Sequence, residues 1–539
     1  MNYKIFLTGI VCLFFSYESY SQQWIRIFSD TSSNIELKKV IEHYDKGYLF
    51  SGEKYKGWTY NGYLMKTDIN GYVRWSISYG KPSQMNQYTS VREAISGGLV
   101  LSGSTNQLES GCTDPLLVKV NNCGEKEWCK IYNSQDCSSW MKDIVTIPDS
   151  GYIALIDRWK TGEEKRIWLF NLTPEGEVNW VQAYATNPLF WSEISHSLVM
   201  TTDDDVIITG EAYYPDPTYP GKSIIKVILI KVKLDGTAVF EVPWGTNNGV
   251  YSDGRQSVVD LKNNIYTAGR RARTTAPGGD SPCLFKTSKN SEPVFYKDLK
   301  STSGLGISTS ISWFQDSSLV QCLGWKPPSG IDTTGVIRTD TMGNILNEKV
   351  LLINAASGFF SSDITYNNRV ILAGTVASGG LIKTYAFKLT SDLEYDSVYT
   401  RPFTYDSLCP HPIVSDTVPL DDCEVVIVGL DDAEQHPEKT KLQIYPNPAG
   451  GQVNIVMPQY LVRQNPGSIL SSTTTYFRWD KTRLDILSIT GKLMFTMEIP
   501  KQQATVQVNT SAWPAGMYFA RVVFMNESVA EGKILIIYD

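Results

Sequence analysis

A recurring unit, Lys-Thr-Asp-x-x-Gly-x-x-x-Trp, has the residue types and spacing that could do chemistry in this chain. Its first copy contains Asp68, Asn70, Gly71 and Trp75. The side-chain oxygens of Asp68 and Asn70 are ligands that calcium prefers, but most later copies do not keep both. The same residues suit a hairpin turn, in which glycine adopts a positive φ and the aromatic ring packs between neighbouring sheets. We therefore interpret the unit as structural and expect no metal.

The unit resembles motifs of two known propeller families and departs from both. In the Asp box of sialidases, glycine follows aspartate by two positions and tryptophan by five, whereas here the steps from Asp68 are three to Gly71 and seven to Trp75. The tryptophan-docking repeat of quinoprotein dehydrogenases has a similar turn before its tryptophan. Those propellers normally have eight blades and a cofactor site with a bound metal, for which this chain has no matching residues. We therefore expect no cofactor.

The chain has none of the usual catalytic motifs. It lacks a Gly-x-Ser-x-Gly nucleophile elbow, a His-Glu-x-x-His helix and a phosphate-binding loop. His43 and His196 fall in or near predicted inner strands, where a histidine is usually a structural residue, and His411 and His436 fall in an acidic segment. A pair of carboxylates like that of glycosidases is not identifiable from one sequence, because the distance between two side chains is unknown. No catalytic residue is therefore assigned.

The elements that must position these residues repeat along residues 22–405. Each repeat holds about four short strands, and its turn residues leave no room for helices between the strands. Successive copies of the third strand are 53, 52, 60, 55, 52 and 50 residues apart. Their common position is occupied by Lys66, Lys119, Asn171, Lys231, Lys286, Arg338 and Lys388. Four strands per repeat are typical of a β-propeller, so we predict an all-β fold with seven blades. Eight blades are the alternative if residues 395–400 pair elsewhere.

The first strand of the repeat region gives an independent expectation. Residues 23–28 resemble the fourth strand of later repeats, such as residues 74–79 and 179–184. We therefore predict that this N-terminal strand completes the last blade, which would close the ring and remove exposed sheet edges.

The amino terminus has the pattern of a secretory signal peptide. An apolar run over residues 5–15 is followed by Ser19 and Ser21, which place small residues before a cleavage site at Gln22. We predict a signal peptide at residues 1–21. No later segment is long and apolar enough to be a transmembrane helix.

Eight of the nine cysteines follow residue 21, and an oxidising compartment would let them form disulfides. A zinc site is not expected, because none of them forms a Cys-x-x-Cys pair. If residues 116–120 and 126–132 form a hairpin, Cys112 and Cys137 emerge at the same open end. The predicted disulfides are Cys112–Cys137 and Cys409–Cys423.

The last hundred residues alternate short apolar runs with turn formers, which predicts a small β-sandwich at residues 438–539. Two prolines lie in Tyr445-Pro-Asn-Pro448, and they lack donors and fix φ, so they set a strand edge and a turn. Gly491 and Gly516 suit positive-φ turns. The polar stretch at residues 459–480 lengthens the loop after the second strand.

These tail segments, in this order, resemble the type A C-terminal sorting domain of proteins exported by the type IX secretion system of Bacteroidota. The resemblance covers roughly residues 438–539. It implies the secretion machinery as a partner, and a protein that is secreted or on the outer surface of a Gram-negative bacterium. The residues that carry the sorting motif are Tyr445, Pro446, Asn447, Pro448, Gly491, Gly516, Met517 and Tyr518.

The distribution of charge argues against nucleic acid as a partner and predicts a linker before the tail. A net charge of −7 without a basic stripe argues against nucleic-acid binding. Residues 404–438 carry nine Asp or Glu and no Lys or Arg, so we interpret residues 406–437 as an acidic linker that resists packing.

The favoured function is a non-enzymatic propeller that binds a glycan, peptide or other surface component. Aromatic residues in predicted loops motivate this, namely residues 58–60, 213–219 and 325–328. The alternatives are an extracellular hydrolase or lyase with carboxylates in the propeller funnel, and a purely structural surface module.

Overall fold

The structure is a computed structural model in which two units, residues 1–430 and 431–539, are separately compact. The residues that it describes are 22–30, 32–80, 84–108, 112–133, 138–148, 150–159, 165–184, 192–215, 223–244, 252–272, 279–314, 318–353, 360–378, 381–428, 440–457, 482–489, 492–499, 505–524 and 527–537. The predicted signal peptide, residues 1–21, lies outside them.

The first unit consists of seven four-stranded antiparallel sheets, which are the blades of a propeller. Blade 1 contains β2 (Asn34–Glu42), β3 (Tyr48–Lys56), β4 (Thr59–Thr67) and β5 (Val73–Tyr79). Blade 2 contains β6 (Asn86–Glu93), β7 (Leu99–Thr105), β8 (Asp114–Val120) and β9 (Lys126–Asn133). Blade 3 contains β10 (Ser139–Ile147), β11 (Gly151–Arg158), β12 (Arg166–Leu172) and β13 (Val178–Tyr184). Blade 4 contains β14 (Ser192–Met200), β15 (Val206–Pro215), β16 (Ser223–Val232) and β17 (Ala238–Trp244).

The remaining blades follow the same order. Blade 5 contains β18 (Ser252–Val259), β19 (Ile265–Ala272), β20 (Asp280–Thr287) and β21 (Pro293–Asp298). Blade 6 contains β22 (Gly306–Trp313), β23 (Leu319–Trp325), β24 (Thr333–Thr339) and β25 (Ile345–Ile353). Blade 7 contains β26 (Phe360–Ile364), β27 (Val370–Ser378), β28 (Leu381–Leu389) and β1 (Ile25–Phe28). The first strands of the seven blades contact one another in a closed ring, so they are the innermost strands and surround a central channel.

The predicted seven blades and their register are confirmed. Each of the seven common positions read from the sequence falls in the third strand of a blade. Closure by the N-terminal strand is also confirmed, because β1 pairs antiparallel with β28, with Ile25 opposite Phe387 and Phe28 opposite Thr384. Lys66 and Lys119, the first two residues at the common position, are buried and ion-paired, Lys66 with Asp45 and Lys119 with Glu127.

The recurring unit is a turn, as we expected. In blade 1, Asp68 Oδ1 accepts hydrogen bonds from the backbone N–H groups of Asn70 and Tyr72, each at 2.8 Å. Gly71 then adopts a φ of 78°. The Asp68 side chain therefore shapes the hairpin turn.

The aromatic residues of the unit pack between blades, which confirms the second part of that interpretation. A Cβ on Gly124 of blade 2 would lie 2.5 Å from Ile77 Cδ1 and 3.2 Å from the Trp75 ring, both in blade 1. The Tyr79 hydroxyl also donates to the Gly124 carbonyl at 2.6 Å. The same tyrosine-to-glycine bond joins blades 2 and 3 and blades 3 and 4 through Tyr132–Gly176 and Tyr184–Gly236.

Residues 404–428, which we call the strap, do not behave as a linker. The strap adds β29 (Thr417–Val418) parallel to β5 and β30 (Glu424–Ile427) parallel to β9, so blades 1 and 2 gain a fifth strand. The strap has no Lys or Arg of its own, and basic residues of the blades pair with its carboxylates. Lys130 Nζ, for example, lies 2.7 Å from Glu424 Oε2. The prediction of a segment that resists packing is therefore wrong for residues 406–428.

The predicted Cys409–Cys423 disulfide is also wrong. Both cysteines belong to the strap, but each bonds to blade 2, in the disulfides Cys123–Cys409 and Cys129–Cys423. The strap runs alongside blade 2, so each of its cysteines lies next to a partner that is distant in the sequence. Cys112 is disulfide-bonded, and its predicted partner Cys137 lies outside the described residues. Cys283 and Cys322 are buried free thiols.

The second unit has the predicted two-sheet architecture. One sheet contains β31 (Thr440–Lys441), β34 (Thr482–Ser488), β35 (Leu493–Glu498), β37 (Gly516–Phe524) and β38 (Glu527–Ile536), and the other contains β32 (Gln443–Tyr445), β33 (Gln452–Val456) and β36 (Thr505–Asn509). Residues of both sheets form one buried core, which includes Val453, Ile486 and Val522. No helix long and apolar enough to cross a membrane occurs in the described part of the chain.

Candidate functional site

Six of the seven innermost strands contain a β-bulge at the same place. One extra residue is inserted near the middle of the strand, where two residues face one on the partner strand. The inserted residues of blades 1 to 6 are Lys38, Thr89, Lys142, His196, Arg255 and Thr309. Bulges re-aim side chains, so the repeat places six polar groups at equivalent positions around the channel.

Four of the inserted residues can carry positive charge, and we call Lys38, Lys142, His196 and Arg255 the channel band. Each pairs with a more deeply buried carboxylate. The side chains of Lys142 and His196 are 30% and 17% exposed, whereas those of their partners, Asp157 and Glu211, are 3% and 6% exposed. The innermost strands surround the channel, and in each of these pairs the basic residue is more exposed than the carboxylate.

The partner carboxylate comes from a repeated position on the second strand. Glu53 and Glu211 directly follow Gly52 and Gly210, which lie in the middle of the second strands β3 and β15, and Asp157 is at the equivalent place in blade 3. The Lys38–Glu53 and Lys142–Asp157 pairs have nitrogen-to-oxygen distances of 3.2 and 3.3 Å. Bulge and second strand together therefore generate the same ion pair in several blades.

Blades 4 and 5 depart from this pattern and bring a histidine next to arginines. Arg255 Nη1 lies 3.1 Å from His196 Nε2, and His196 Nε2 lies 3.5 Å from Glu211 Oε1. The fully buried Asp253 accepts from Arg255 Nη2 at 2.8 Å and from Arg270 Nε at 2.6 Å through the same oxygen. This is the densest cluster of buried charge along the channel.

Burial and charge keep the histidine neutral. Burial lowers the pKa of His196, and the neighbouring Arg255 lowers it further, although Glu211 opposes both. For Glu211, burial raises the pKa, but the hydrogen bond with His196 and the charges around it outweigh that effect, so its pKa is lowered. The site thus places an imidazole, a carboxylate and a guanidinium within hydrogen-bonding or ion-pairing distance of one another.

Three buried polar atoms of this cluster have no hydrogen-bond partner among the described residues: Glu211 Oε2, Asp253 Oδ1 and Arg255 Nε. At the boundary between blades 6 and 7, Ser312 Oγ and Ser310 Oγ lie 2.9 and 3.1 Å from Ser362 Oγ. Ser310 and Ser362 are buried, so these hydroxyl groups join the two blades. In the described ranges, no group of three His, Cys, Asp or Glu side chains could hold a metal ion.

The aromatic loops named from the sequence are only partly where we expected them. Trp58 lies at the β3–β4 turn and is 92% exposed. Trp325, in contrast, belongs to β23 and is buried, and Tyr213 belongs to β15, so these two are strand residues and not loop residues. Residues 216–219 lie outside the described part of the chain.

The sorting-motif residues hold the tail sandwich together. Asn447 donates from Nδ2 to the Lys533 carbonyl at 2.7 Å and accepts from the Leu535 N–H at 2.8 Å. The Tyr518 hydroxyl donates to the Pro514 carbonyl at 2.8 Å. Pro446, Pro448, Gly516 and Met517 lie in the strand ends and turns around these bonds, and Gly491 lies outside the described residues.

Sequence reasoning considered His196 only as a structural residue and missed its neighbours. The signal that could have found them is positional: a charged residue after the second-strand glycine, together with a cation in the middle of the preceding strand. Glu211 and Arg270 both directly follow such a glycine.

The fold and the tail define a seven-bladed β-propeller protein that carries a separate C-terminal β-sandwich. Residues 443–537 match the family model of the secretion system C-terminal sorting domain. This match supports the interpretation of the chain as a type IX secretion substrate, secreted or at the cell surface. Comparison with curated proteins finds no match.

Three of the solved structures that are similar to the chain illustrate the range of matches. An ulvan lyase of a polysaccharide lyase family has 8% identity, covers 67% of this chain and 95% of its own, and has a TM-score of 0.46. A protein of unknown function from Bacteroides caccae has 12% identity, coverage of 57% and 94%, and a TM-score of 0.34. An endo-arabinanase from Bacillus licheniformis has 11% identity, coverage of 48% and 96%, and a TM-score of 0.28. At these scores the likeness says nothing about activity.

Proposed function

We propose that the propeller of this secreted protein binds an anionic glycan through the channel band. The observation that carries the proposal is the repeated placement of a cation at the bulge of blades 1, 3 and 5, next to a more buried carboxylate, with His196 at the equivalent position of blade 4. Each buried acid fixes the position of its cation, and the exposed side of the cation is left for a ligand. Charged donors arranged in this way favour carboxylate or sulfate groups.

Two further features support a glycan as the ligand. The cations are spread over several blades, so a chain with repeated charges could contact more than one of them. The exposed ring of Trp58 is an additional apolar surface on blade 1.

Calorimetry with the full secreted chain tests this function. Polygalacturonate or a sulfated polysaccharide should bind more tightly than neutral amylose, and added salt should weaken the binding. Arg255→Gln and Lys142→Gln should each reduce the affinity at least about tenfold, because each removes a charged hydrogen bond of the kind worth about 1.5–3 kcal/mol. Lys349→Gln on the outer strand β25 is the matched control. Binding that is equal for neutral and acidic chains, or unchanged in both channel variants, would exclude the proposal.

A lyase is the second candidate, and the neutral His196 beside Arg255 favours it. A neutral imidazole can take the proton from the carbon next to a uronate carboxylate, while the guanidinium stabilises the negative charge that develops. The bond from the adjacent ring carbon to the glycosidic oxygen then breaks as the double bond forms, and the leaving oxygen takes up a proton from water. The test is the ultraviolet absorbance of an unsaturated product from a uronate polysaccharide, with His196→Gln compared with wild type. Absence of any product from several uronate polymers would leave binding as the function.

The role of the tail has its own test. We infer that residues 438–539 direct export, since a sorting-domain model matches within them. Deletion of these residues should leave the protein in the periplasm of a host with a type IX system. Normal amounts of the truncated protein outside the cell would contradict this role.

A further inference from the structure

A cavity of about 720 Å³ lies at the end of the innermost strands of blades 1 to 4. Its walls are largely apolar, with Ile41, Ala94, Ile95, Val145, Pro148 and Met200 among the lining residues. The volume is in the range of pockets that take small molecules, which are usually apolar with a few polar groups. The channel band lies nearer the middle of the same strands, so the cavity is a different part of the channel.

Arg92 is the cation in the wall of this cavity. Its Nε donates to the Ile144 carbonyl at 2.9 Å, and its Nη2 donates to Asp143 Oδ1 at 3.0 Å. The other terminal nitrogen has no partner among the described residues. The two bonds fix the guanidinium plane, and one pair of N–H donors is left for a ligand.

Lys39 is a second cation, on strand β2, which contacts the strand of Arg92, although it is not itself one of the residues that line the cavity. It lies two residues before Ile41 and therefore on the same face of β2 as that cavity residue. Burial lowers the pKa of Lys39 to about 8, and the charge of Arg92 contributes to the shift. Within the described ranges its amino group has no hydrogen-bond partner. Two neighbouring cations that repel each other would both be stabilised by an anion between them.

Four carboxylates lie near these cations or line the cavity, and one of them, Glu42, has a buried oxygen, Oε1, without a hydrogen-bond partner among the described residues. Asp143 accepts from Arg92 and from the Leu198 N–H at 3.0 Å. Asp363 accepts from the backbone N–H of Glu42 at 3.3 Å, and burial raises its pKa. Glu42 Oε2 accepts from the Tyr366 N–H at 2.6 Å, and burial raises the Glu42 pKa too. Glu93 is an exposed lining residue.

We propose that this cavity binds a small carboxylate with an apolar body, whose carboxylate group lies between Lys39 and Arg92. The apolar walls would cover the body of the ligand, and the two cations would supply charged hydrogen bonds to its head. This site does not depend on the glycan function of the channel band.

Calorimetry of the full secreted chain with hexanoate, hexanol and hexylamine tests the proposal. These probes share an apolar body and differ in the head group. Hexanoate should bind at least tenfold more tightly than hexanol, and hexylamine should bind most weakly. Equal binding of hexanoate and hexanol, a preference for hexylamine, or no binding of any probe would overturn it.

Two neighbouring lysines provide a matched pair of variants. Lys39→Met should weaken hexanoate at least tenfold and leave hexanol unchanged, whereas Lys38→Met, at the bulge beside it, should change neither by more than about twofold. Ile95→Trp should reduce the binding of all probes by filling the cavity. An unchanged hexanoate affinity in Lys39→Met, with its thermal unfolding equal to wild type, would also overturn the proposal.

Discussion

Lys66 of blade 1 and Asp406 of the strap form an ion pair across 340 residues of sequence, with Nζ 2.8 Å from Oδ1. Asp45 completes the group, and the lysine side chain is fully buried. Removing one partner of a buried pair leaves a charge without compensation, which typically costs about 3–5 kcal/mol. The strap is therefore joined to the propeller by charge as well as by sulfur.

Substitution of the two aspartates should separate their contributions. We expect Asp45→Asn to lower the free energy of unfolding by about 3–5 kcal/mol, because this carboxylate is buried. Asp406→Asn should cost less, about 1–2 kcal/mol, because this side chain is partly exposed. Urea denaturation measures both. The exposed Asp422, which pairs with Lys126, is the control, and Asp422→Asn should cost less than about 1 kcal/mol. A larger loss for Asp422→Asn than for Asp45→Asn would contradict the expectation.

His43 should make the stability depend on pH. It is buried next to Lys66, and burial followed by the lysine charge lowers its pKa to about 4. An unfolded histidine takes up a proton near pH 6.5, but the folded one does not until about pH 4, so stability falls as the pH drops through this window. The loss from pH 7 to pH 4.5 should be about 1–3 kcal/mol and should become smaller in His43→Gln. Denaturation curves at several pH values measure this, and the same loss in the variant would exclude His43 as the cause.

The two strap disulfides should be detectable and should stabilise the first unit. Peptide mapping without reduction should find Cys123–Cys409 and Cys129–Cys423. Double replacement of Cys129 and Cys423 by alanine should lower stability by about 2–4 kcal/mol. Because the strap has no Lys or Arg, a protease that cleaves after acidic residues should cut it faster in this variant. Mapping that finds Cys409 bonded to Cys423 would contradict the structure.

Alanine variants of two glycines with positive φ separate the cost of backbone strain from the cost of crowding between blades. Gly124 (φ 77°) is in contact with Ile77 and Trp75 of the neighbouring blade, whereas Gly57 (φ 61°) has open space where a Cβ would lie. Both alanine variants pay about 1 kcal/mol of backbone strain. Gly124→Ala should cost about 1–3 kcal/mol more than Gly57→Ala, because the added methyl group forces the blade interface apart. Equal melting temperatures would show that the interface adapts.

The propeller could be predicted because its units repeat the same local chemistry. Lys66, Gly71 and Trp75 each have a role that depends on near neighbours or on the next blade, so their spacing persists along the chain. The strap could not be predicted from its composition. Its acidic residues repel one another in isolation, but Lys126 and Lys130 of blade 2 offset that charge, and no local pattern reveals which distant strand lies beside it.

The candidate site was missed for a different physical reason. A bulge inserts a single residue, so in the sequence it changes the alternation of a strand by only one position. The contact between His196 and Arg255 also joins two blades, and the register of one blade against the next is not encoded in either strand alone. The sequence contains both residues, but it does not show that their side chains are in contact.

Pairing of β1 with β28 sets the order in which the molecule can be completed. A ribosome makes the first strand before every other strand of the propeller, yet the strand that it pairs with is made last among them. During synthesis, Ile25 and its neighbours must therefore wait without their partner until Phe387 has been added. Cys123 likewise has no disulfide partner until Cys409 has been synthesised. A nascent chain of this kind cannot close its ring until the last blade has been made.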